Sequence, residues 1–187
     1  AGAFRFENND DYGLSYFQSH LPVREQKDAV GHSVRAVYLY SAMADLARLK
    51  GDESLKQACK TLFDSIANRR MYVTGAIGST HVGEAFSFDY DLPNEEAYAE
   101  TCAAIALVFF ARNMLECDPD SRYADVMERA LYNSVISGVS LDGRHFFYDN
   151  LLASHPEYHK FSGQKSPRRQ EWFGCACCPP NIARVLA

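Results

Sequence analysis

The chain has 187 residues, 47% hydrophobic and 23% charged, which is the balance of an ordinary globular domain or part of one. Lys and Arg total 19 against 24 Asp and Glu, a net charge of −5 with no basic stripe, so nucleic acid is not an expected partner. The longest apolar stretch, around 103–111, falls far short of the roughly 20 residues a membrane span needs, and no signal peptide is legible.

Residues 1–27 lack a clear period and read as loop with short extended pieces. From Asp28 to Lys50 the residues Val30, Val34, Val37, Leu39, Met43, Leu46 and Leu49 recur at helical spacing, and Gly51 stops the helix. Asp52 caps a second helix running to about Arg70, with Leu55, Leu62, Phe63 and Ile66 on one face. The short connection makes the two an antiparallel pair. The stretch 71–93 is punctuated by Gly75, Gly78 and Gly83 and breaks the pattern. Asn94 is expected to cap a third helix that opens on Glu95-Glu96 and ends near Cys117. A fourth is expected over 118–138, with Val126, Leu131, Val135 and Ile136 facing inward. Residues 141–152, with Asp142-Gly143 as the turn, read as a short β-hairpin, and 153–171 as polar loop. Pro179 and Pro180 fit the first turn of a last helix.

This pattern is all-α. Antiparallel helical hairpins joined by long loops suit part of an α/α toroid better than a four-helix bundle, whose loops are shorter. The chain opens at Ala1 without a methionine and closes on an apolar run, 182–187, with no capping glycine or following proline. It therefore reads as a fragment of a longer protein.

The cysteines are Cys59, Cys102, Cys117, Cys175, Cys177 and Cys178. Adjacent cysteines do not bridge each other without strain, so reduced thiols or a metal site are expected rather than a disulfide scaffold. The cluster Cys175-Ala176-Cys177-Cys178 precedes a helix start, where a thiol ionises more easily. A thiolate serves as nucleophile or as metal ligand. Zinc takes four ligands, and Glu100 and Cys102 are the best distant partners. Residues two apart on a regular helix do not share a face, however, so shared ligation requires a distorted first turn or suitably angled long side chains, and the spacing alone does not prove the pair. The plain alternative is a surface carboxylate and core thiols.

Glu84 reads as a general acid/base with Phe86 and Phe88 as apolar neighbours, or as an exposed loop carboxylate. His32 reads as a ligand-contacting polar group on a helix, or as a satisfied core or surface residue. Tyr148, Asp149 and Trp172 could line a sugar site, or serve as ordinary packing.

Five segments in this order resemble glycoside hydrolase family 127, the β-L-arabinofuranosidase family. They are 31–36 (GHSVRA), 74–86 (TGAIGSTHVGEAF), 90–94 (YDLPN), 100–102 (ETC) and 175–181 (CACCPPN). The resemblance implies an (α/α)6-barrel catalytic domain of which 1–187 is about the second half, with C-terminal β-sandwich domains lying outside this chain. It implies one zinc held by Glu100, Cys102, Cys177 and Cys178. Cys177 is implied as nucleophile, Glu84 as general acid/base, and His32 and Tyr148 as sugar contacts, with Cys175 a bystander. The implied substrate is an arabinofuranosyl-containing oligosaccharide or glycopeptide, the implied setting the bacterial cytoplasm, and a homodimer is left open. The competing expectations are a non-catalytic zinc-stapled helical module or a carbohydrate-binding protein. A thiol redox protein, for which Cys175 and Cys178 have the spacing, is disfavoured by the fold.

Overall fold

The structure, a computed structural model, describes residues 13–154, 168–175 and 177–187. Most of the polar loop expected over 153–171, and the first part of the N-terminal loop, lie outside the described residues. The α-helices are α1 (Ser33–Lys50), α2 (Glu53–Arg69), α3 (Thr101–Cys117), α4 (Ser121–Ala130) and α5 (Cys178–Leu186). Among the described residues there are no β-strands, only isolated antiparallel bridges. The architecture is all-α, as the sequence patterning implies.

The α1–α2 corner follows its local code. Gly51 adopts φ 63° and its N–H reaches the carbonyls of Ala47 and Arg48. The Asp52 carboxylate accepts from the Leu55 N–H at 3.0 Å. The start of α1 differs from expectation: it begins at Ser33, not Asp28. Residues 28–32 are held outside the helix by tertiary bonds. Asp28 pairs with Arg69 and Arg70, and the Ala29 carbonyl accepts from Arg70 at 2.6 Å. Gly31 sits at φ 75° with its backbone against Tyr16, where a Cβ would lie 2.4 Å from the Tyr16 carbonyl oxygen.

Helix α3 is apolar nearly all round and forms the centre of the molecule, with α1, α2, α4 and α5 packed about it. Across its flank Tyr40, Phe63, Phe110 and Tyr123 pack ring to ring, with centroids 4.7–5.9 Å apart. Burying Phe63 and Phe110 contributes roughly 1.5–3 kcal/mol each. None of the described helices is long and apolar enough to cross a membrane.

The third helix also starts later than expected, at Thr101, and Asn94 does not cap it. Glu95 and Glu96 are therefore not in its first turn. Ala99 takes φ 46°, its N–H bonds the Gly78 carbonyl at 2.8 Å, and its own carbonyl accepts from Asn150. These cross-loop bonds replace the helical ladder over 95–100.

The expected single helix over 118–138 is α4 followed by a π-helical turn, Leu131–Val135, and a 3-10 turn, Ile136–Gly138. The backbone of Gly75 lies so close to Ala130 that a Cβ there would be 2.7 Å from it, and Ser134 Oγ donates to the Thr74 carbonyl. The widened turn accommodates this loop. Val126 and Val135 are buried, but Ile136 is 38% exposed and does not face inward. Over 141–152 the Asp142-Gly143 turn is present, with a single bridge between Val139 and Phe146 instead of paired strands. Phe146 exchanges both of its backbone bonds with Gln170 instead.

Candidate active site and metal centre

Three helix N-termini converge on one region. His32, Glu100 and Cys177 are the residues that immediately precede α1, α3 and α5, and none of their side chains bonds back to its own helix end. A helix N-terminus carries unpaired N–H groups and partial positive charge, which favours a carboxylate or thiolate beside it. Short backbone pairings hold the intervening loops in place. Phe86 N–H bonds Gly31, Thr80 and Ala85 pair with each other, Ala99 N–H bonds Gly78, and Thr101 N–H bonds the Tyr148 carbonyl. Residues 98–101 are thereby clamped between 78–79 and 148–150.

The donor atoms of Glu100, Cys102, Cys177 and Cys178 all lie within 4.8 Å of one another. Cys102 Sγ is 3.5 Å from Cys178 Sγ, and Cys177 Sγ is 3.6 Å from Cys178 Sγ and 3.4 Å from Glu100 Oε1. A tetrahedral ion with metal–sulfur bonds of about 2.3 Å spaces its sulfurs about 3.8 Å apart. The set is therefore nearly the size a four-coordinate cation requires. Glu100 and Cys102 reach a common centre because Glu100 is not inside the helix: its φ of −60° and ψ of 135° are extended. Of the two ways the spacing allows, the structure shows the distorted start of the helix.

The electrostatics point the same way. Glu100 is buried, and its Oε2 has no hydrogen-bond partner among the described residues. Burial, then the charge of Glu84, then Cys177, push its carboxyl up to about 9. Hydrogen bonds from Cys102 and Cys178 push the Cys177 thiol far below its ordinary range, while those two thiols are pushed up. A cation bound among these groups would displace their protons. The soft thiolate set with one carboxylate could hold a metal ion. Asn181 Nδ2 donates to Cys102 Sγ at 3.2 Å, and its Oδ1 accepts from the Tyr38 hydroxyl at 3.2 Å.

Glu84 occupies a 3-10 turn directly after Gly83, and both have positive φ, 52° and 72°. A non-glycine residue held there costs about 1–3 kcal/mol and is typical of a functional position. Ser33 Oγ donates to the Glu84 carbonyl at 2.9 Å. The carboxylate faces polar groups: the Tyr98 hydroxyl donates to Oε1 at 2.7 Å, and His32 Nε2 lies 3.3 Å from Oε2. Phe86 belongs to the main core and Phe88 is half-exposed. Tyr98 packs edge-on against Tyr148, and the Tyr148 hydroxyl is 3.4 Å from Cys177 Sγ. Burial first, then Glu84, raise the Tyr98 hydroxyl, so it stays a donor.

The structure thus gathers His32, Glu84, Glu100, Cys102, Tyr148, Cys177 and Cys178 in one region, and leaves Cys175 exposed. Trp172 is 62% exposed, and Asp149 is buried on the backbone bridge to Glu100. Sequence reasoning missed Tyr98 and the part played by Asn181. The signal for Asn181 was its place one turn beyond Cys177 on α5, the N–H to carbonyl bond of which is 3.3 Å. No local signal marks Tyr98.

Residues 2–187 match the family whose description is "Beta-L-arabinofuranosidase, GH127 catalytic domain". A non-reducing end β-L-arabinofuranosidase of Bifidobacterium longum subsp. longum is 49% identical over 183 residues, covering 94% of this chain and 27% of that protein. Among solved structures, a GH127 β-L-arabinofuranosidase from Geobacillus stearothermophilus T6 superposes with a TM-score of 0.91 at 60% identity, over 94% of this chain and 28% of that one. A second GH127 β-arabinofuranosidase superposes with a TM-score of 0.83 at 50% identity, over 91% of this chain and 25% of that one. The chain spans about a quarter of the length of these relatives.

Proposed function

This chain belongs to the GH127 β-L-arabinofuranosidase catalytic-domain family, and from that membership we propose that it supplies the reacting groups of a retaining glycoside hydrolase. The substrate is a terminal β-L-arabinofuranosyl group on an oligosaccharide or glycopeptide. The chain is read as about the second half of an (α/α)6 barrel that β-sandwich domains follow, in a bacterial cytoplasmic protein. The observation that carries the reading is the four-donor cluster containing Cys177, with Tyr148 and Tyr98 bridging from it to Glu84.

Glu100, Cys102, Cys177 and Cys178 would hold a zinc ion. Bound zinc supplies positive charge that keeps Cys177 ionised at neutral pH and fixes its direction. Cys177 Sγ attacks the anomeric carbon while Glu84 gives its proton to the departing glycosidic oxygen. The bond to the aglycone breaks as the carbon–sulfur bond forms, leaving a thioglycosyl intermediate. Glu84, now ionised, takes a proton from water, whose oxygen attacks the same carbon and returns the electron pair to sulfur. Two inversions retain the configuration. The Tyr148 hydroxyl, 3.4 Å from the Cys177 sulfur and accepting from its thiol, would turn its own hydrogen to the thiolate as it leaves, and His32 and Tyr148 contact the sugar.

The test combines metal analysis with a cysteine-reactive L-arabinofuranose analogue on the protein carrying this chain. Label on Cys177, one zinc per chain, and at least about a 10³-fold fall in turnover for Cys177→Ser are expected. Ordinary turnover in Cys177→Ser, or unlabelled Cys177 with metal bound, would instead leave a zinc-stapled structural module.

A further inference from the structure

We propose that Tyr98 is a positioning residue that decides which oxygen of Glu84 carries the catalytic proton. The inference rests on the reading of Glu84 as general acid/base. A protonated carboxyl has one O–H and one bare oxygen. The Tyr98 hydroxyl donates to Oε1 at 2.7 Å, so Oε1 is held as an acceptor and the proton belongs on Oε2. His32 Nε2, 3.3 Å from Oε2, lies on the proton-bearing side.

Tyr98 is built to hold that place. Its side chain is buried, and its backbone N–H bonds the Ser79 carbonyl. The next residue, Ala99, is pinned to Gly78, and the ring is braced edge-on by Tyr148 with centroids 6.2 Å apart. Glu84 itself is fixed from the backbone side by Ser33 and by its positive φ. With both ends held, the carboxyl plane cannot rotate to present Oε1 without breaking the tyrosine bond. Orientation of this kind is where general acid catalysis gains or loses most, since a misplaced proton forfeits the transfer. The groups that bear on Glu84 electrostatically are His32, Tyr98, and the nearby Glu100 and Tyr148.

The readout is dependence on leaving group. Departure of an alkoxide needs the acid, whereas departure of p-nitrophenolate does not. On an alkyl β-L-arabinofuranoside, Tyr98→Phe should lower kcat/KM by about tenfold or more. On the p-nitrophenyl glycoside the loss should be no more than about threefold, with zinc content and melting temperature kept. Equal losses on both substrates would overturn the proposal, as would loss of zinc from Tyr98→Phe, because Tyr98 would then be supporting the fold or the cluster. Glu84→Gln, run alongside, separates the two levels. If Glu84→Gln shows no leaving-group selectivity, the acid/base reading itself fails; if it does and Tyr98→Phe does not, only the role of Tyr98 falls.

Discussion

Cys102 Sγ and Cys178 Sγ lie 3.5 Å apart although 76 residues separate them in the chain. One is in the first turn of the central helix α3 and the other is the first residue of α5. The contact joins two helix N-termini, and Glu100 and Cys177, the residues immediately before those turns, complete the donor set. The positive ends of two helices thus face a group of acids that are costly to ionise together.

That cost predicts a pH dependence for metal-stripped protein. The Glu100 carboxyl, ordinarily near 4.5, is pushed up to about 9 by burial and by the neighbouring Glu84 and Cys177. Between those values the folded state keeps a proton that the unfolded chain has released. For this group the native state binds the extra proton, so its own contribution to stability falls as pH rises through this window, opposite in sign to that of the Cys177 thiol, which is pushed far down in the fold. Melting curves of metal-free wild type and Glu100→Gln across it should diverge, the variant declining less. Parallel curves would contradict the assignment. Restoring the metal reverses the trend, because ligation needs ionised donors and strengthens with pH.

Asn181 should tune the metal without touching it. Its amide donates to Cys102 Sγ and is itself oriented by the Tyr38 hydroxyl, which also receives a bond from Arg184. Replacing Asn181 by Ala removes a hydrogen bond to a ligand, and such losses typically weaken metal affinity about 10–100-fold. Competition against a chromogenic chelator measures this directly. An unchanged affinity would mean that the bond does not act on the ligated state.

Gly31 and Gly143 share a left-handed backbone but not an environment, with φ 75° and 70°. A Cβ at Gly31 would lie 2.4 Å from the Tyr16 carbonyl, whereas nothing lies within 4 Å at Gly143. Gly143→Ala should therefore cost only about 1–2 kcal/mol, the strain of the backbone alone. Gly31→Ala should cost more, about 3 kcal/mol or above, and also displace His32 and the paired Phe86. Denaturant midpoints of the two variants check the order.

Much was legible locally. Gly51, Asp52 and the Pro179-Pro180 pair mark helix ends through φ preference, side-chain capping and a missing N–H, effects that act within one turn. The central helix announces itself by an apolar stretch, and the cysteine cluster by its composition. The same local reading places the α3 start six residues early, because Asn94-Glu95-Glu96 is a good start signal in isolation. It also ran α4 straight through to Gly138.

What only the tertiary structure decided is how the loops pair. Residues 98–101 give up helical bonds for bonds to 78–79 and 148–150, and this turns Glu100 toward Cys102, Cys177 and Cys178. It also sets Tyr98 on Glu84, the contact no motif suggested. Periodicity and caps report energies between neighbours in sequence. Placing two helix N-termini and a strained loop around one point depends on hydrogen bonds between segments tens of residues apart, whose partners exist only once the core has packed.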